Sequence, residues 1–101
     1  MKIEIEDSTY TVRTDGYGLR EESYNEGRGR QITGIVETPS GYVRCYSNDY
    51  TNDHTGKRYR SSSLRFIHDS KEHWRHFAGI AYTRRGLITK ARQFVAEITN
   101  S

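Results

Sequence analysis

Gln31-Ile32-Thr33-Gly34-Ile35-Val36-Glu37-Thr38-Pro39-Ser40-Gly41-Tyr42-Val43-Arg44-Cys45-Tyr46 is the stretch that decides the fold. In its first arm Ile32, Gly34 and Val36 share one face, with Thr33 and Ile35 on the other. In its second arm Val43 and Cys45 face one way, and Tyr42, Arg44 and Tyr46 face the other. Period-two alternation is the mark of a strand with one face turned to a core. Between the arms lies Thr38-Pro39-Ser40-Gly41. Proline suits the second position of a tight turn and glycine the fourth. The pattern predicts an antiparallel hairpin over 31–46.

A hairpin with an apolar face needs something to cover it. That cover is legible at the other end of the chain. Leu87, Ile88, Ala91, Phe94, Val95 and Ile98 recur at helical spacing and form one apolar stripe. Thr83 suits the N-cap and Asn100 the C-terminus. Gly86 falls in the first turn, where it costs up to about 1 kcal/mol against alanine. A helix with such a stripe is not stable until the stripe is covered.

Between hairpin and helix, Tyr59–His68 reads as a strand, with Leu64 and Phe66 on one face. Asp69–Glu72 reads as a turn. Residues 73–77 read as a short strand, with the start of a helix as the alternative. Before the hairpin, Ile3 with Ile5 and Tyr10 with Val12 give two short strands joined by Glu6-Asp7-Ser8. Asp15-Gly16-Tyr17-Gly18 reads as a bend. Residues 19–30 and 47–57 lack an apolar pattern and are expected to be polar loops, the first of them mobile. The expectation is therefore α+β: a small antiparallel β-sheet of four to six strands, packed on one face by a C-terminal α-helix. All of it falls in a single domain, 1–101.

Size and composition narrow the function. A chain of 101 residues is too short for a barrel enzyme or a doubly wound sheet. It contains no apolar run approaching 18 residues. Its 12% aromatic content, including eight tyrosines, is more than a disordered tail carries. A lone cysteine, Cys45, rules out an intrachain disulfide and a four-cysteine zinc site. Cys45 lies in a strand and reads as a structural thiol. The opening Met1-Lys2-Ile3-Glu4 alternates and carries no leader-like apolar stretch, so a cytoplasmic location is expected.

Charge is uneven. Residues 1–27 hold three basic and seven acidic groups, and residues 28–101 hold thirteen basic and six acidic. Basic and aromatic residues interleave at Arg44/Tyr46, at Arg58-Tyr59-Arg60 and at Trp74-Arg75. Arginine meets phosphates while rings stack on bases, and both residue types also anchor protein interfaces. Arg84-Arg85 at the helix start places two cations where acids are usual, against the helix dipole. The candidate binding residues are thus Arg84, Arg85, Arg58, Arg60, Arg44, Tyr46, Tyr59, Trp74 and Arg75. Gly27-Arg28-Gly29-Arg30 also has the composition of arms that enter a minor groove, although no proline holds it extended.

Catalytic and metal chemistry find little support. His73 and His76 share a face only if 73–77 is helical, and only then do they approach a zinc geometry with His68 or Asp69. Asp49, Asp53 and His54 fall in one stretch, but Asn, Asp and Thr serve a turn for backbone reasons alone. No phosphate-loop or dinucleotide pattern occurs. No enzyme activity, cofactor or metal is expected.

Three partner classes remain. The first is a protein: the chain is expected to be a small non-enzymatic protein-binding module. Its size suits a phage or mobile-element accessory or inhibitor protein acting on a host protein that handles nucleic acid. The alternative is direct nucleic-acid binding through a basic, aromatic sheet face and the helix N-terminus. The modest net charge of +3 tips the balance to protein. A homodimer, with a second subunit covering Ile35, Tyr42, Tyr46 and Ile67, is compatible with either.

Overall fold

The computed structural model describes residues 2–5, 8–11, 18–24 and 27–100. Seven strands precede one helix. They are β1 (Lys2–Ile5), β2 (Ser8–Thr11), β3 (Leu19–Ser23), β4 (Arg28–Thr38), β5 (Gly41–Thr51), β6 (Arg58–His68) and β7 (Lys71–Ala78), followed by α1 (Arg84–Thr99). β1 and β2 form a small antiparallel pair. The other five make one antiparallel sheet in sequential order, β3-β4-β5-β6-β7. The α+β sheet with its C-terminal helix is thus present.

The hairpin read from the sequence is the centre of this sheet. Thr38 pairs with Gly41 across a two-residue turn, and the register runs on to Arg28 opposite Thr51. The Thr38 hydroxyl closes the turn by donating to the Gly41 carbonyl at 2.7 Å. Pleating puts Ile32, Val36, Val43, Cys45, Leu64 and Phe66 on one face, all buried. Leu87, Ile88, Ala91, Phe94 and Val95 of α1 cover them, with Ile98 partly buried beside them. Thr83 caps the helix by accepting the Gly86 N–H at 3.1 Å. Residues 73–77 are strand, within β7. No helix among the described residues is long and apolar enough to cross a membrane.

Two expected loops are largely strand. In 19–30, β3 occupies 19–23 and pairs with β4, which itself begins at Arg28; Asn25 and Glu26 lie outside the described residues. Of 47–57, only 52–57 is loop. The reason is that β4, β5 and β6 run past the end of the helix. There the ladder is lined by polar and tyrosine side chains that are at most partly buried, so no apolar alternation marks it in the sequence. Gly27-Arg28-Gly29-Arg30 is correspondingly no free arm. Gly29 has φ of 127°, and a Cβ there would lie 1.8 Å from the Asp49 carbonyl oxygen. Only glycine lets β4 pair with β5 at that point. The turn after β6 is shorter than expected: Asp69 and Ser70 alone, both at positive φ. Val12, Arg13, the residues Glu6-Asp7 of the first turn and residues 15–17 of the bend lie outside the described residues.

One layer of the core is polar. Ser47 and Ser62 are buried and directly opposed on β5 and β6, their hydroxyl oxygens 2.9 Å apart. Ser62 also reaches the Ile80 carbonyl at 2.7 Å, and Ser47 accepts the Tyr82 N–H at 2.8 Å. The pair clamps the crossover from β7 onto the sheet and fixes where α1 begins. Beyond this rung the helix-side face of β4, β5 and β6 is polar: Arg28, Arg30, Asp49, Thr51, Arg58 and Arg60.

Candidate functional site

The nine residues singled out in the sequence fall in three places. Arg44, Tyr46, Tyr59 and Trp74 lie on the sheet face that α1 leaves open, by strand alternation. Arg58, Arg60 and Arg75 lie on the helix-side face. Arg84 and Arg85 are exposed at the start of α1.

On the open face, Trp74 is 60% exposed and Ile67 is 52% exposed. They occupy neighbouring rungs, since Arg65 pairs with Trp74 and Ile67 with Glu72. Glu72 organises the group. One carboxylate oxygen accepts the Trp74 indole N–H, and the other accepts the Arg65 guanidinium at 2.6 Å. The Arg65 guanidinium lies 5.3 Å from the Trp74 ring centroid. Its side chain is only 10% exposed. Trp74 is therefore an exposed ring with a fixed orientation.

The same face continues as a tyrosine row. Tyr50 stacks on Tyr59 with centroids 6.3 Å apart, and Tyr24 meets Tyr50 edge-on at 4.8 Å. The Tyr24 hydroxyl donates to Asn48 Oδ1. Burial, and then the neighbouring Tyr46 and Tyr50, push the Tyr24 phenol above its ordinary pKa. Tyr59 is 48% exposed. Ile35, expected on the open face as a reason for a second subunit, is already fully buried within the chain.

Charges on the open face are largely matched within it: Arg65 with Glu72, and Arg20 with Glu22 at 3.0 Å. Arg75 faces the other way. It lies over the Phe94 ring at 5.1 Å and pairs with Glu97 at 2.6 Å, joining β7 to α1.

The helix-side overhang has a different character. Asp49 stands directly between Arg30 on β4 and Arg60 on β6. Arg58, one rung out, grips Asp49 through two hydrogen bonds, at 3.0 and 2.8 Å. That grip holds the Asp49 carboxyl below its ordinary range, with the Arg58, Arg60 and Arg30 charges acting in the same direction and burial acting against them. Arg28 pairs with Asp53 at 3.3 Å. Glu21 lies 3.2 Å from Arg30 Nε, yet that buried N–H makes no hydrogen bond, so the charge is offset off-axis. In the sequence Arg28 and Arg30 read only as part of a flexible arm; their period-two spacing was the available signal that they share one face of a strand.

The chemical clusters considered in the sequence do not assemble. Successive alternation in β7 turns His73 and His76 to opposite faces. Asp49 is a strand residue engaged with arginines, while Asp53 and His54 lie in the loop. No group of three His, Cys, Asp or Glu side chains converges among the described residues. Cys45 is buried, and desolvation pushes its thiol up to about 12. Comparison with known protein families, curated proteins and solved structures finds no match.

Proposed function

We propose that this chain is a non-enzymatic protein-binding module that docks through the open face of its sheet, with Trp74 and Ile67 as anchors. The observation that carries this reading is an exposed indole fixed by the Glu72 carboxylate beside an exposed aliphatic side chain. Tryptophan and arginine dominate the energetics of protein interfaces. An anchor already held in place loses little conformational freedom on docking. Tyrosine, serine and asparagine around it, at Tyr46, Tyr59, Ser61, Ser63 and Asn48, supply rigid area and adaptable hydrogen bonds, as paratopes do. The internal matching of Arg65 and Arg20 with carboxylates favours a protein over a polyanion at this face.

The test is capture from cell extract on immobilised protein, with and without nuclease, followed by the same capture with Trp74→Ala and Ile67→Glu. A stoichiometric protein partner that survives nuclease and is lost with either variant supports the reading. A partner retained by both variants, or released by nuclease, overturns it.

A further inference from the structure

β7 is an outer edge of the sheet, paired with β6 on one side. We infer that a second copy of this chain adds to that edge, β7 against β7, joining two five-stranded sheets into one continuous sheet. This inference uses the main chain of β7 and does not rest on the docking reading.

The register decides which groups face outward. The Gly79 N–H donates to the Arg60 carbonyl at 2.9 Å. Main-chain groups alternate sides along an antiparallel strand. Counting back in twos, Phe77, Arg75 and His73 turn their N–H and C=O groups to β6, and Ala78, His76, Trp74 and Glu72 turn theirs outward. Among the described residues no strand pairs with β7 on that side. Such an edge is a template for another strand unless proline, a bulge, shortness or free charge blunts it. β7 runs for eight residues in unbroken register and contains no proline. Its inner charges are already engaged within the chain, Glu72 with Arg65 and Trp74, and Arg75 with Glu97. β3, at the other edge, is five residues long and carries Arg20-Glu21-Glu22.

The sequence of β7 is complementary to itself, which points to a second copy as the occupant. A two-fold axis through Trp74, perpendicular to the sheet, sets Trp74 opposite Trp74 and Glu72 opposite His76, reciprocally. All of these residues turn their main-chain groups outward, so each pair exchanges both N–H···O bonds. Directly opposed residues stand on the same face with Cα atoms about 5.5 Å apart. There the His76 imidazole N–H reaches a Glu72 carboxylate oxygen. Each of those oxygens accepts one donor within the chain and keeps a second lone pair. On the helix side His73 falls opposite Arg75 and Lys71 opposite Phe77, so with histidine neutral no like charges meet. Shifting the register by two residues sets Arg75 opposite Arg75 in one direction and Lys71 opposite Arg75 in the other, which is repulsive. A strand of unrelated sequence gains the main-chain bonds without this reciprocal pairing.

The test is sedimentation equilibrium of the full chain from micromolar to near-millimolar concentration, joined to site-resolved amide exchange. His76→Pro is the primary variant, because it removes an outward N–H and no bond to β6. His76→Glu is the second; it sets a glutamate against Glu72 on both sides of the two-fold axis. Circular dichroism checks that each variant folds. Ile67→Glu alters the open face and leaves the edge as it is.

The expected result is a monomer–dimer equilibrium in which the Glu72, Trp74 and His76 amides exchange about tenfold more slowly once about 90% of chains are paired. The His73, Arg75 and Phe77 amides, bonded to β6 in either state, are the internal reference. His76→Pro should be monomeric throughout, His76→Glu should weaken the dimer about tenfold, and Ile67→Glu should dimerise as the parent does. A monomer at every concentration overturns the proposal. So does a dimer retained in full by both His76 variants, or one lost with Ile67→Glu while the β7 amides keep their monomer rates. Failure here leaves the Trp74 docking reading standing, because that reading is tested on a different protein captured from extract.

Discussion

Ser47 and Ser62 meet across β5 and β6 with their hydroxyl oxygens 2.9 Å apart, buried within an otherwise apolar core. Buried hydroxyls are costly unless every hydrogen-bonding group is satisfied. Here the Tyr82 N–H and the Ile80 carbonyl complete the set. The pair therefore acts as a clamp on the segment that delivers α1 to the sheet.

Replacing Ser62 by alanine leaves the Ile80 carbonyl without its donor. The expected loss is about 1–3 kcal/mol, the cost of stranding a buried polar group. Ser47→Ala should cost a similar amount by releasing the Tyr82 N–H. The double variant should lose less than the two singles combined, because they share one network. Urea denaturation midpoints of the four proteins check this.

Asp49 ties folding to pH. Its carboxyl titrates lower in the folded chain than in the unfolded one, chiefly through its hydrogen bonds from Arg58. The folded value is the depressed one, so the interaction stabilises fully above the unfolded value of about 4. That contribution fades as pH falls through the folded value. Asp49→Asn should be less stable than the parent at neutral pH, and the gap should close in acid. Stability measured by denaturation across the acid range reads the closing of that gap.

Asp69 and Ser70 form the β6–β7 turn with φ of 50° and 63°. Side chains with a Cβ pay about 1–2 kcal/mol for that left-handed region, and Asn-Gly suits such two-residue hairpin turns. Replacing the pair by Asn-Gly should raise stability by about 1 kcal/mol, visible as a higher melting temperature. A lower melting temperature would show that the turn demands something other than backbone geometry.

Gly29 is the opposite case. A methyl group there would lie 1.8 Å from the Asp49 carbonyl oxygen, and φ is 127°. Gly29→Ala should separate β4 from β5 at the overhang, with a stability loss of about 1–3 kcal/mol from backbone strain at minimum. Amide exchange should accelerate around Asp49 and Tyr50 before it does around Val43.

The parts of the fold readable from the sequence were those that the helix covers. The stripe from Leu87 to Val95, the alternation of Val43 with Cys45, and the Pro39 turn each follow from burial or backbone restriction. Ser47 and Ser62 escaped because a polar residue at a core position looks like a surface one. Their parity with Val43, Cys45 and Leu64 was the available signal. The polar strand residues 28–31 and 48–51 gave no apolar pattern because the sheet outruns its cover there. For the same reason the clustering of Arg30, Arg58 and Arg60 around Asp49 became visible only through strand register. The fixing of Trp74 by Glu72 was likewise out of reach, since residues two apart on one strand share a face only once the strand is known.

Cys45 gives this chain a built-in clock. The single thiol sits beneath α1, protonated and shielded, so an alkylating reagent in the solvent has nothing to attack while the helix stays seated. Each modification event then records one opening of the molecule. At reagent concentrations where alkylation outpaces reclosing, its rate gives the lifetime of the closed state, and at lower concentrations it gives the population of the open one, with no dye or engineered label attached.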